Sequence, residues 1–334
     1  MSDRHVVVGA GPVGRATAAL LAARGSEAVL ASRSGAGPEI PGTRRVAVDA
    51  ASAQALADLA GGAVAVYNCV NPSAYHQWAA LWQPVAAALL EAARRSGATL
   101  VTAGNLYPYG PVDTEMVEGM PDAGTGEKAR IRARMWADAL GGHQRGELRA
   151  VEVRGSDYMG PGIGANGHVP RVVPRALQGK GVQVFGDPDQ PHTWTDVLDM
   201  ARSLVAVAGR ADTWGRVWHA PSNAPRSQRE AVNDVCAAMG RPAVRVRPMP
   251  RHLLRVVGLV VPSVGALQEN RYQFERPYVM SSELTQKELG LAPTPWDDVC
   301  RRTGAGRPEA LSRRREPVTV GSRAAPWPAT RARR

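Results

Sequence analysis

His5-Val6-Val7-Val8-Gly9-Ala10-Gly11-Pro12-Val13-Gly14 is a short apolar run that passes directly into a G-x-G-x-x-G turn. The run has the length and continuity of a strand buried on both faces, and the Ala-rich segment after Gly14 has the length of a helix. A glycine turn in that strand-to-helix setting is suited to a dinucleotide. Gly9 allows the tight turn, Gly11 lets the backbone approach a pyrophosphate, and Gly14 permits close helix–strand packing. Pro12 and Val13 open the helix, whose free N–H groups and positive dipole end face the anion.

Outward from that turn, apolar runs at residues 28–31, 45–48, 63–69 and 99–103 alternate with helical segments at 13–24, 52–60 and 78–96. This alternation predicts an α/β fold, a Rossmann-type doubly wound parallel sheet, with the binding loops along the carboxyl edge of the strands. A Gly/Pro/acid-rich stretch at 110–126 is read as a long active-site loop. A helix at 127–142, a strand at 148–154, a helix at 169–179 and a strand at 182–185 follow. The expected division is a dinucleotide-binding domain at 1–155, a smaller C-terminal α/β substrate lobe at 156–300 whose parts return to the main sheet, and a basic tail at 301–334.

Composition narrows the function classes. The formal net charge is +11, but residues 301–334 hold ten Arg against Glu309 and Glu316, which leaves +3 for the first 300 residues. The basic character therefore belongs to a Pro/Arg/Ala-rich end expected to be disordered, and a specific nucleic-acid site is not expected. No stretch of 18 uninterrupted apolar residues is present and the N-terminus lacks a secretory pattern, so neither a membrane span nor a leader is expected. Cys69, Cys236 and Cys300 are widely spaced, which fits a reduced, cytoplasmic setting. The His, Cys, Asp and Glu residues show no metal-ligand spacing, and no G-x-S-x-G elbow is present.

The end of the second strand selects the cofactor. An NAD site carries Asp or Glu there for the ribose hydroxyls, whereas this chain reads Ala31-Ser32-Arg33-Ser34. Ser32 and Arg33 suit a 2′-phosphate, with Arg15 nearby, so NADP(H) is expected and NAD(H) is the alternative. Asp49 and Ala50, after the third strand, are candidates for the adenine side. Cys69 and Asn71, after the fourth, are candidates for the run beside the cofactor, Asn71 equally as a turn or N-cap residue.

The order of these motifs resembles the short-chain dehydrogenase/reductase superfamily, in its extended or atypical branch, the NAD-dependent epimerase/dehydratase family. The resemblance also rests on Leu106-Tyr107-Pro108-Tyr109-Gly110-Pro111, on Arg154-Gly155-Ser156-Asp157-Tyr158-Met159-Gly160-Pro161-Gly162, and on His192-Thr193-Trp194-Thr195-Asp196-Val197-Leu198-Asp199-Met200-Ala201. It implies hydride chemistry on a small hydroxyl- or carbonyl-bearing metabolite, and pairing of two copies through the long helices near 76–96 and 127–142. It also implies a Ser or Thr near the fifth strand and a Tyr-x-x-x-Lys pair on the next helix. This chain has Asn105 at the first position and no Tyr in the helix. Lys128 and Arg132 stand there instead, four residues apart on one face. Lys128, Tyr107 and Asn105 are therefore the catalytic candidates: Lys128 for the nicotinamide ribose or as an acid, Tyr107 as a displaced phenol, Asn105 to orient a carbonyl or water. Tyr158 and His192 are candidates on the substrate side, and Tyr109 is read as partly structural. The missing Tyr-x-x-x-Lys pair also leaves open a non-catalytic NADP(H)-binding redox sensor or regulatory protein. A flavin is disfavoured by the absent acid at the end of the second strand.

Overall fold

The computed structural model describes residues 2–72, 78–250 and 268–306. Seven parallel strands form the central sheet: β1 (Arg4–Val8), β2 (Glu27–Ser32), β3 (Thr43–Ala47), β4 (Ala65–Asn68), β5 (Thr99–Asn105), β6 (Arg149–Gly155) and β10 (Val217–His219). Their order is β10-β6-β5-β4-β1-β2-β3, the doubly wound arrangement, in which the direction of winding reverses beside β1. Alternation along each strand supplies both faces. Val6 and Val8 enter one apolar cluster with Val29, Val66 and Leu100, while Val7 enters the other with Leu30, Tyr67 and Val101. The first cluster is covered by α2 (Ala53–Ala60), α3 (Trp78–Ser96) and α4 (Glu127–Gln144), and the second by α1 (Pro12–Ala23) and α6 (Val197–Ala208).

Most of the remaining elements build a second lobe with its own apolar cluster. β7 (Asp157–Met159) pairs with β9 (Trp194–Asp196), and β8 (Val182–Val184) pairs with β11 (Val246–Pro248). Helices α7 (Gln228–Ala238), α8 (Glu283–Leu289) and α9 (Trp296–Ala305) follow. Met159, Val184, Trp194, Val232 and Cys300 share the apolar cluster of this lobe.

The structure departs from the sequence pattern at two places. The helix expected at 169–179 is reduced to one regular turn, α5 (Val173–Ala176). Pro170 and Pro174 lie within that stretch, and a proline removes an N–H and clashes with the preceding turn. The expected tail boundary at 301 falls inside α9, where Arg302 lies against the buried Asp196 at 3.1 Å. Residues 307–334 of the expected tail lie outside the described residues. Among the described residues no helix is long and apolar enough to cross a membrane.

Candidate functional site

The carboxyl ends of β1, β2, β4, β5 and β6 lie along one edge of the parallel sheet, where the glycine turn follows β1. Gly9 has φ +109°, in the left-handed region, and a β-carbon on it would lie 2.5 Å from the Cys69 carbonyl oxygen. A β-carbon on Gly14 would lie 1.8 Å from the Gly9 oxygen. These two glycines therefore hold the turn against the sheet. Gly11 differs, because a β-carbon there meets nothing within 4 Å and projects into open space. The α1 N-cap is Gly11 itself, with no side chain capping the helix and no acid in its first turn. The free amide groups of that end are left for an anion.

Beside the turn, an open groove of ≈ 550 Å³ is lined by Ala10, Ser32, Arg33, Ser34 and Ala36. The Ser32 hydroxyl is buried without a hydrogen-bond partner. Arg33 is exposed and makes no hydrogen bond or ion pair with any described residue. The neighbouring Arg45 is committed to the loop, donating to the carbonyls of Gly35 and Pro38, both at 2.9 Å, and to that of Ala36. An orphaned hydroxyl, an uncommitted guanidinium and an uncapped helix end are a donor set for an anionic nucleotide. Asp49 accepts from the Ala51 amide at 3.0 Å, shaping the turn before α2, and Ala50 packs against the core. Cys69 is buried at the foot of the turn. Burial pushes its thiol up to about 12 against a bond from Thr17, so it serves as packing rather than as a nucleophile.

Further along the sheet, α4 packs against α3, β6 and the turn after β5. Lys128 and Arg132 are both buried on its inward face, at 3% and 6% exposure, so the four-residue spacing does place them together. The Lys128 ammonium lies 2.7 Å from Glu269 Oε2, while Glu269 Oε1 accepts the Lys128 backbone N–H at 2.8 Å. One carboxylate thus holds both the side chain and the first turn of the helix. Arg132 lies over the Trp82 ring at 4.1 Å and donates to Asn71 Oδ1 at 3.4 Å. Tyr107 stacks on Trp78 with ring centroids 6.1 Å apart. Asn105 Oδ1 accepts the Tyr107 amide at 3.2 Å, which fixes the turn after β5. Lys128, Arg132, Asn71, Tyr107 and Asn105 therefore share the wall formed by α4 and the ends of β4 and β5.

Two other residues singled out by sequence serve the scaffold. The Tyr109 hydroxyl is 2.8 Å from His219 Nε2, and burial pushes it up to about 12. His192 bonds to Asp157 Oδ2 at 2.9 Å and to the Gln273 carbonyl at 3.1 Å. Among the described residues no group of three or more His, Cys, Asp or Glu side chains is arranged to hold a metal. Sequence reasoning missed Glu269, because its partner is 141 residues away and nothing local marks it. It also missed Trp78 and Trp82, although their four-residue spacing on a helix marks one buried face.

The model of the NAD dependent epimerase/dehydratase family matches residues 5–218. A dTDP-glucose 4,6-dehydratase of Actinoplanes sp. is 33% identical over 141 residues, covering 41% of this chain and 43% of that protein. One from Xanthomonas campestris pv. campestris is 26% identical over 125 residues, covering 37% and 32%. Both matches thus span less than half the length of the curated relative. Among solved structures, dTDP-glucose 4,6-dehydratase from Bacillus anthracis in complex with NAD superposes with a TM-score of 0.74 at 16% identity, over 91% of this chain and 96% of that one. UDP-glucose 4-epimerase from Brucella ovis in complex with NAD gives 0.72 at 19% identity, over 91% and 98%. At these identities the structural likeness establishes the fold.

Proposed function

The chain belongs to the NAD dependent epimerase/dehydratase family, and on that premise we propose that it is an NADP(H)-dependent oxidoreductase acting on a small hydroxyl- or carbonyl-bearing metabolite. The observation that carries the choice of NADP(H) is the end of β2. It offers the orphaned Ser32 hydroxyl and the uncommitted Arg33 guanidinium, and no carboxylate. A carboxylate there would accept from ribose hydroxyls and repel a 2′-phosphate.

When bound, the nicotinamide supplies or accepts hydride. The protein binds and orients around it. Gly11, Val13 and Gly14 present backbone amides to the pyrophosphate, while Gly9, whose N–H is donated to the Ala31 carbonyl, and Pro12, which has no N–H, shape the turn that holds them there. Asp49 and Ala50 border the adenine side, and Cys69 and Asn71 border the run towards the nicotinamide. Lys128, held in place by Glu269, donates to the nicotinamide ribose. Tyr107 and Asn105 shape the substrate wall, where the Asn105 amide N–H groups orient a carbonyl. The absence of a Tyr from α4, together with the pairing of Lys128 to Glu269, favours one second reading, a non-catalytic NADP(H)-binding regulatory protein.

Titration with NADPH and NADH, read by nucleotide fluorescence, tests the cofactor assignment. Tight NADPH binding is expected, weakened about tenfold or more in Arg33→Ala while NADH is little changed, since a charge-assisted bond contributes about 1.5–3 kcal/mol. Equal losses for both nucleotides would move Arg33 away from the 2′-phosphate. Lys128→Met is expected to weaken NADPH about tenfold by the same reasoning, and to leave affinity for 2′,5′-ADP, which lacks the second ribose, unchanged. A parallel loss of 2′,5′-ADP binding would show that Lys128 acts through the fold.

A further inference from the structure

β7 follows directly on the carboxyl end of β6, and its alternation sends neighbouring side chains to opposite sides. Met159 enters the apolar cluster of the lobe, and Asp157 bonds to His192. Tyr158, between them, faces the other way and packs against the sheet-side cluster that contains Cys69, Ala10 and Val13. Two glycines in the left-handed region, Gly160 at φ +111° and Gly162 at φ +82°, then fold the chain down onto α1. A β-carbon on Gly162 would lie 2.9 Å from Arg15 Nη2 and 3.8 Å from Pro12. β7 is thereby tied to the glycine turn itself.

The Tyr158 ring lies back over Gly155. A β-carbon on that glycine would sit 3.4 Å from the Tyr158 hydroxyl, so the phenol uses space that any larger residue would take. The hydroxyl makes no hydrogen bond with any described residue, and it is not sealed in the interior as the Tyr278 hydroxyl is. It stands within electrostatic reach of Cys69 at the end of β4 and of Arg132 on α4. Arg132 in turn donates to Asn71. An uncommitted phenol thus lies beside the apolar foot of the glycine turn and within electrostatic reach of a buried cation.

We propose that Tyr158 is the acid–base group of this site, donating its hydroxyl proton to the oxygen of an aldehyde or ketone substrate bound between β7 and α4. This assignment rests on the oxidoreductase reading above. In the reducing direction hydride from the reduced nicotinamide forms the new C–H bond and the carbonyl π pair moves to oxygen. That oxygen takes the proton of Tyr158, and the phenolate regains one from water, so the sum is carbonyl, NADPH and a proton to alcohol and NADP⁺. Arg132 is the positioning cation that favours the phenolate. Burial raises the phenol well above its ordinary range, Cys69 and Asp157 act in the same direction, and Arg132 opposes them. A positively charged nicotinamide ring would add to the action of Arg132.

The test uses the full chain labelled with 3-fluorotyrosine and read by fluorine NMR, with the Tyr158 line among the seven tyrosines identified by its loss in Tyr158→Phe. Two probes are added separately, 2′-phospho-ADP-ribose and NADP⁺, which differ by the nicotinamide. The expected result is that both bind, that the Tyr158 line moves only with NADP⁺, and that its titration midpoint falls in the NADP⁺ complex but not in the complex with the truncated probe. The Tyr107 line, assigned through Tyr107→Phe, keeps its midpoint. If both probes bind and the Tyr158 line responds identically to them, or its midpoint does not fall, Tyr158 is not at the nicotinamide and the proposal is overturned while the cofactor reading stands. If neither probe binds, the cofactor reading fails and Tyr158 loses its role with it.

Discussion

Gly11→Val is expected to reduce NADPH affinity by about 100-fold or more while leaving the protein folded, a loss of roughly 2.7 kcal/mol of binding. The reason lies in the difference between the three glycines of the turn. At Gly11 an added β-carbon meets nothing within 4 Å and projects into open space, so the fold has room for the branch. The space it fills is where the pyrophosphate must come close to the backbone amides of α1, and a branched side chain holds the phosphate off those donors. Gly14→Val makes the contrasting case, because its β-carbon would lie 1.8 Å from the Gly9 oxygen and the turn itself must break. That variant should lose binding and thermal stability together. Nucleotide titration and a melting curve on both variants separate the two effects. Unchanged NADPH affinity in folded Gly11→Val would remove the turn from the binding site.

These contrasts explain what the sequence could disclose. The glycine turn was legible because its meaning is local: six residues, one strand before and one helix after. The same holds for the absent carboxylate after β2 and for Lys128 and Arg132, whose spacing alone places them on one face of α4. The expected strands at β1, β2, β4, β5 and β6 fall where apolar runs are continuous, because those strands are largely buried on both faces, while β3, at the edge of the sheet, is half exposed. The helix expected over 169–179 is cut to Val173–Ala176, where Pro170 and Pro174 interrupt the stretch. The partners of the site were less legible. Glu269 reaches Lys128 across 141 residues of sequence, and Asp122 reaches Arg154 across 32. Such pairs are fixed by how elements pack, and no periodicity records them. Tyr158 stands between these cases. Its glycines are visible in the sequence, but the three-residue strand β7 and the direction of the Tyr158 side chain depend on pairing with β9, some 37 residues on.

Arg154→Met is expected to destabilise the protein by about 3–5 kcal/mol, the range for breaking a buried ion pair by removing one partner. Arg154, at 1% exposure, donates to Glu152 Oε1 at 2.6 Å and forks onto both oxygens of Asp122 at 2.6 and 3.0 Å, with its guanidinium 4.7 Å from the centre of the Tyr109 ring. It therefore fastens the long loop after β5 to the sheet while neutralising a carboxylate buried on β6. Removing the cation leaves Glu152, at 4% exposure, without its hydrogen-bonded counter-charge and with only the more weakly acting Arg132 to oppose burial. Burial already raises the Glu152 carboxyl above its ordinary value, and Arg154 opposes that rise. In the variant the folded-state value climbs further above the unfolded one, so the folded state binds the extra proton in the interval between them. Stability is then lost as pH rises through the folded value and regained as pH falls back towards the unfolded one. The deficit should therefore narrow on moving from pH 7 to pH 5. Urea unfolding at several pH values measures this directly, and adding Glu152→Leu to the variant should recover much of the loss, because the pair is then replaced rather than broken. A deficit below 1 kcal/mol, or one that widens as pH falls, would mean that water reaches Glu152 and that the loop is held by its packing, through Met116 and Tyr109, instead of by charge.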